Sequence, residues 1–237
     1  MDNQYLELLD ANKHQSLKLT RGDFSDLMFA VNTAVVVPGE LDQLVHEYPI
    51  FITRSPQSEQ FQLSVLFGFE SGQNLYLNGA KWHANFLPLD IVRRPFQLIT
   101  PQDGLEQNGI LGFDTRSTII SETASDPLFN SDGTETAVLS RIQKAFVALM
   151  EGKKQVDEML NFADQEGLID AVKLEYQFKG ESFIREGVYR LSPDKISRLA
   201  APLIQRAHHL GLLRVHYLMQ ASNIHIDKLL NAAHRVN

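Results

Sequence analysis

Residues 135–152 read ETAVLSRIQKAFVALMEG, and the fold class turns on their spacing. Val138, Ile142, Phe146 and Met150 recur at every fourth position, which sets them along one side of a helix, and Gly152 stands where that helix would stop. Further along, QVDEMLNFADQEGLI (155–169) puts Met159, Leu160 and Ala163 on the apolar side of a second helix, with Gly167 past its end. VKLEYQF (172–178) and SFIREGVYRL (182–191), separated by KGE, predict a β-hairpin. Ser192 and Pro193 then take the N-cap and first helical position of a helix closed by Gly211, which Pro202 kinks or shortens. LLRVHYLMQ (212–220) is ambiguous between strand and helix, and residues 222–235 predict a final short helix capped by Ser222.

Before this stretch the pattern belongs to strands. The first fifteen residues are polar and read as a loose arm or one short helix. Val35–Val37 form a β-branched run broken by Pro38 and Gly39, ELDQLVHEY suits a short helix ended by Pro49, and Ile50–Thr53 return to strand. FQLSVLFGF (61–69) and LYL (75–77) follow, each bounded by turns (SPQSEQ, ESGQN, NGAK), and ILGFDTRSTIIS (110–121) adds another strand. The expected fold is therefore α+β: an antiparallel β meander in the N-terminal half, then a helix-rich C-terminal half with a β-hairpin. Its expected organisation is an arm and first strand at 1–34, a β-rich region at 35–120, a linker loop at 121–135 rich in Ser, Thr, Asp and Gly, and a helical region with hairpin at 136–237. One integrated domain is equally compatible, because strands such as 172–178 are able to return to the first sheet.

Composition sets outer limits. Of 237 residues 43% are hydrophobic, enough for a substantial core, and the absence of cysteine excludes disulfides, thiolate metal sites and cysteine catalysis. A net charge of −7 argues against a general nucleic-acid binder. Nowhere do eighteen apolar residues run together and no signal-peptide pattern opens the chain, so the expectation is a protein that does not span a membrane and stays in the cytoplasm. The charge is unevenly spread. Residues 1–50 carry eight acids against three bases, and residues 196–237 carry five bases against Asp227 alone, a polarity that steers an acidic partner or ties the two ends together.

The familiar chemical motifs fail. HEYPI at His46 breaks at Pro49 before a second zinc ligand, LFNSDGTETAVL has Leu128 and Leu139 where a calcium loop needs oxygen ligands, EGKKQ lacks the glycine and hydroxyl of a phosphate loop, and GESFI lacks the closing glycine of a nucleophile elbow. His208, His209, His216, His225 and His234 crowd the C-terminus, yet the nine-residue step from His216 to His225 is about half a turn out of phase. No metal and no cofactor are expected, and no catalytic residue can be named.

What remains is NGAKWHANFLPLDIVRRPFQLIT (78–100), which holds the single tryptophan, a histidine beside it and two arginines before a proline. Trp82 after an Asn-Gly turn is expected to be mostly buried. Arg93 and Arg94 before Pro95 are expected to be extended, so that their side chains diverge, one pinning a loop and the other facing a ligand or partner. Tyr48, Trp82, His83, Arg93 and Arg94 are the candidate site residues.

The order of these pieces resembles the SapC family of bacterial proteins. The likeness is carried by HEYPIFIT (46–53), by residues 61–99 from FQLSV to PFQLI, by DPLFNSDGTET (126–136), by FIREGVYRLSPDKISRL (183–199) and by HHLGLLRVHYLMQASNIHIDKLL (208–230). The resemblance implies a link to bacterial surface-layer genes, with relatives encoded near outer-membrane receptors and flavin-dependent tryptophan halogenase-like proteins. It carries over no catalytic residue. Two functions follow: a non-catalytic accessory or binding protein whose Trp82–Phe96 corner meets a protein or small ligand, or an enzyme acting on a peptide or glycan with Tyr48, His83, Arg93 and Arg94 as its candidate site residues.

Overall fold

The computed structural model describes residues 5–99, 110–178 and 180–235. Residues 1–4 of the polar arm and Lys179 of the hairpin turn lie outside the described residues. The strands are β1 (Leu6–Leu8), β2 (Lys18–Leu19), β3 (Thr33–Val35), β4 (Ile50–Arg54), β5 (Phe61–Leu66), β6 (Leu77–Asn78), β7 (Lys81–Trp82), β8 (Phe96–Ile99), β9 (Ile110–Asp114), β10 (Ile120–Ser121), β11 (Asp126–Pro127), β12 (Ile169–Phe178) and β13 (Glu181–Leu191). The helices are α1 (Leu41–Leu44), α2 (Leu89–Val92), α3 (Ala137–Gln165), α4 (Pro193–Ser197), α5 (Ala201–His209), α6 (Leu212–Ser222) and α7 (Ile224–Arg235). The fold is α+β, with antiparallel sheets and a helix-rich C-terminal half. Two compact units share the chain: Met1–Ala30, Leu77–His83 and Leu89–Val147 form the first, and Val31–Tyr76, Ala84–Pro88 and Ala148–Asn237 the second.

The second unit is built on a five-stranded sheet in the order β12-β13-β4-β5-β3, antiparallel throughout. The C-terminal hairpin returns to the N-terminal strands, setting Val188 opposite Thr53 and Tyr189 opposite Ile52. In β4, Ile50, Phe51, Ile52 and Thr53 are all buried, so this central strand is covered on both faces and its sequence is a continuous run rather than an alternation. Helix α6 packs on β4 and α7 on β12.

LLRVHYLMQ resolves as helix because Leu212, Val215, His216, Met219 and Ser222, spaced by three and four, are the residues it buries. Ser222 does not cap the last helix as expected. Its hydroxyl donates to the Met219 carbonyl at 2.7 Å and accepts from the Ile50 N–H at 2.9 Å, pinning α6 to the start of β4. Pro202 falls in the first turn of α5, where a missing N–H is harmless, and the expected single helix is two, α4 and α5.

The expected pair of helices after residue 136 is one helix of 29 residues, α3, and Gly152 does not stop it. A strict four-residue spacing precesses by about 40° per step at 100° per residue, so Met150 has rotated out to 43% exposure while Leu139, Ile142, Ala145 and Phe146 hold the buried side. Gly152 serves close approach instead: a Cβ there would lie 2.4 Å from the Val37 Cβ.

The first unit contains the sheets β1-β9-β8 and β10-β2-β11 and the ribbon β6-β7. The expected arm or helix at the N-terminus is in part a strand, with Leu6 opposite Asp114 and Leu8 opposite Gly112. Its pairing partner lies more than a hundred residues away, which local propensity does not register. ILGFDTRSTIIS likewise divides into β9 and β10, which join different sheets. Asp26 ties this unit together, one carboxylate oxygen accepting from the Met28 N–H at 3.0 Å and the other from the Thr118 N–H at 2.8 Å and the Ser117 hydroxyl at 3.1 Å.

Candidate functional site

Arg93 and Arg94 follow directly on α2, a single helical turn that starts one residue before Asp90. Residues three and four after Asp90 lie above it on a helix, whereas on an extended chain they would alternate in direction. Both guanidinium groups therefore converge on the Asp90 carboxylate, contrary to the expected divergence. Arg93 donates from Nε (2.8 Å) and Nη2 (2.5 Å) to Oδ1, and Arg94 from Nη2 to Oδ2 at 2.9 Å. Their other donors are engaged as well. Arg93 Nη1 reaches the Phe96 carbonyl at 3.1 Å, while Arg94 donates to the Asp90 carbonyl at 3.2 Å and to that of Met28. The Arg93 guanidinium also lies 5.5 Å from the centre of the Phe146 ring. Burial by itself would raise the Asp90 carboxyl, but the charges of Arg93 and Arg94 outweigh it and hold it below its ordinary value. The aspartate at the head of this clamp is not among the residues that the sequence singles out. Its signal is the spacing of Asp90, Arg93 and Arg94 in DIVRR, legible once α2 is read as a helix.

Trp82 ends β7 opposite Leu77 and, as expected, has most of its surface covered without being fully buried, its ring 5.5 Å from that of Phe24, which in turn meets Phe29 edge-on at 5.0 Å. His83, the next residue, is exposed.

Tyr48 belongs to the other unit and is fully buried. Its hydroxyl donates to the Phe86 carbonyl at 2.6 Å, and its ring packs on Tyr76 at 4.7 Å and Phe67 at 5.5 Å. Beside it, the Tyr76 hydroxyl donates to the Glu47 carbonyl at 2.9 Å, and the buried Glu47 carboxylate accepts from the Asn85 side-chain amide at 2.6 Å. Burial, then the nearby Glu47 charge, pushes the Tyr76 phenol well above its ordinary value. The five candidates thus divide between the units, Tyr48 in one and Trp82, His83, Arg93 and Arg94 in the other.

Two further polar clusters are present. In the first unit, an open groove of about 950 Å³ is lined by Tyr5, Glu7, Asp10, Asn12, Lys13 and Thr115, among others. At its edge the buried His14 accepts from the Asp10 N–H at Nδ1 (3.0 Å) and so donates from Nε2 to Glu7 at 3.1 Å, which occupies both ring nitrogens. In the second unit His216 is 4% exposed with Nδ1 unpartnered, and burial lowers its pKa. Among the described residues no three His, Asp or Glu side chains come together as metal ligands would, and no helix is long and apolar enough to cross a membrane.

The acidic N-terminal and basic C-terminal segments do meet, through Arg214, which donates to the Asp42 carboxylate at 2.6 Å and the Pro38 carbonyl at 3.3 Å. The fold and this corner define a mixed α+β protein whose most conspicuous polar side chains are bound to one another. The chain belongs to the SapC family, whose model matches residues 9–229. No curated protein and no solved structure matches it.

Proposed function

We propose that this SapC-family protein acts by binding rather than by making or breaking covalent bonds, as an accessory protein to a bacterial surface-layer or outer-membrane receptor system. The observation that carries this reading is the use made of the candidates' polar groups in each unit. Arg93 and Arg94 are engaged at every guanidinium nitrogen, and the Tyr48 hydroxyl is held by a main-chain carbonyl. Groups held in this way are poorly placed to stabilise a developing oxyanion or to move a proton, since a catalytic constellation needs donors aimed at a reacting atom. Of the five candidates, the exposed His83 is the one whose accessibility supports a contact with a partner.

The test is affinity capture of envelope proteins with the tagged full-length chain and with His83→Ala, whose exposed position leaves the fold intact. Recovery of a surface-layer or receptor protein by the wild type, reduced for the variant, supports the reading. Equal recovery by both removes the contact from this corner. Turnover of a peptide or glycan pool, lost in the variant, replaces the binding reading with an enzymatic one.

A further inference from the structure

Strand β12 is the outermost strand of the five-stranded sheet, and among the described residues its outer main-chain groups have no partner. It runs for 10 residues, whereas the opposite edge, β3, has three. Long regular edges are a hazard that proteins blunt by shortening the strand, inserting proline or bulging it. Here the bulge sits on the neighbour. Val172 pairs with Val188 and Leu174 with Arg185, so the extra residue is on β13, where Gly187 takes it up at a φ of 76°. Ala171, Lys173, Glu175 and Gln177 are exposed, while Val172 and Leu174 are half-buried and Tyr176 is buried on the alternate side. Helix α7 also packs on β12, and the alternation of burial assigns it to the face of Val172, Leu174 and Tyr176.

We propose that β12 pairs antiparallel with β12 of a second copy about a two-fold axis through Leu174, joining two five-stranded sheets into one. This goes beyond the accessory role, since it concerns self-association and not the outside partner. A two-fold axis perpendicular to the sheet keeps each face on its own side and pairs residues at equal distances from the centre. Centring on Leu174 sets Lys173 opposite Glu175 of the second copy, twice, and sets Val172 opposite Tyr176 on the apolar face. Moving the centre to Lys173 or to Glu175 opposes a charge to its own copy, which is destabilising. The charges are available for this. Lys173 meets Glu186 at 3.2 Å, but both are about two-thirds exposed and such a pair holds weakly, while Glu175 has no ion pair among the described residues. One strand pairing buries less than the ~1,000 Å² expected of a permanent interface, so the dimer depends on concentration.

Sedimentation velocity over a range of concentrations tests this with the full chain. The wild type should show a species of twice the 26.8 kDa chain mass that grows with concentration. Lys173→Glu and Glu175→Lys, both at exposed positions, should each weaken it by about tenfold, and the double exchange should restore it. The chain has no cysteine, so Leu174→Cys supplies a single thiol. Paired Cα atoms about 4.5–5.5 Å apart lie within disulfide reach, so oxidation should crosslink this variant and not Ala171→Cys, whose two copies would be about 20 Å apart. A chain that stays monomeric at every concentration, single-charge variants that dimerise as the wild type does, or equal crosslinking at 171 and 174 would each overturn the proposal. If Leu174→Cys fails to fold, the charge variants decide the matter alone.

Discussion

The Asp90 corner and the β12 edge carry similar kinds of side chain and treat them in opposite ways. At the corner, two arginines and one aspartate are drawn inward, Asp90 being 6% exposed, and nearly every donor ends on an internal acceptor. Along β12, Lys173 and Glu175 face solvent and the main chain beside them is open. A tryptophan and a pair of arginines draw the eye in a sequence, but here they mark a place where the chain is tied to itself. The plain alternation of VKLEYQF marks a place where it can be extended. Conspicuous residue types are evidence of strong interactions, and burial decides whether those are made within the protein or offered outside it.

The comparison breaks most severely if the clamp is cut. Asp90→Asn leaves two guanidinium groups facing each other without their anion and should destabilise the protein by about 3–5 kcal/mol in denaturant unfolding. Trp82→Ala should cost about 1–3 kcal/mol, below the ~3–5 of a fully buried tryptophan because part of the residue stays in contact with solvent. Gly152→Ala should cost about 1–2 kcal/mol, the clash with Val37 outweighing a gain of about 1 kcal/mol in helix propensity. At the small end, Lys173→Glu should change monomer stability by no more than about 0.5 kcal/mol, since its side chain is exposed.

Acid sharpens the same contrast. Asp90 has its folded pKa below its ordinary value, so its contribution is present above pH ~4 and is lost as the pH falls through the folded value. His216 is also lowered, by burial, so it favours the folded state above pH ~6.5 and loses that contribution as the pH falls further. Melting temperature should thus be level above pH ~7 and fall at lower pH, with His216→Gln flattening the upper part of the fall and Asp90→Asn the lower. A profile unchanged by both variants would remove these groups from the account.

Much of the fold was legible because it follows local periodicity. The switch from strand runs to helical spacing near residue 136, the hairpin and the final helix rest on patterns within a dozen residues. What was not legible depends on distant contacts. Gly152 looks like a stop unless Val37 is known to press on it, Leu6–Leu8 becomes a strand only beside β9, and Ser222 looks like a cap until Ile50 supplies another use. The corner failed for a local reason. Proline after Arg94 favours an extended reading, and the single helical turn of α2 is too short to show in the pattern, so the sequence does not point to Asp90 and sets the arginines apart.

The central claim is that the arginine pair serves the fold through Asp90, and a double-mutant cycle measures it most directly. Unfolding free energies of the wild type, Asp90→Asn, Arg94→Met and the double variant isolate the interaction between the two side chains. The account predicts a coupling of at least about 1.5 kcal/mol, with the double variant little less stable than Asp90→Asn alone. Additive losses, with a coupling below about 0.3 kcal/mol, would contradict it and return Arg94 to the list of groups held ready for a ligand.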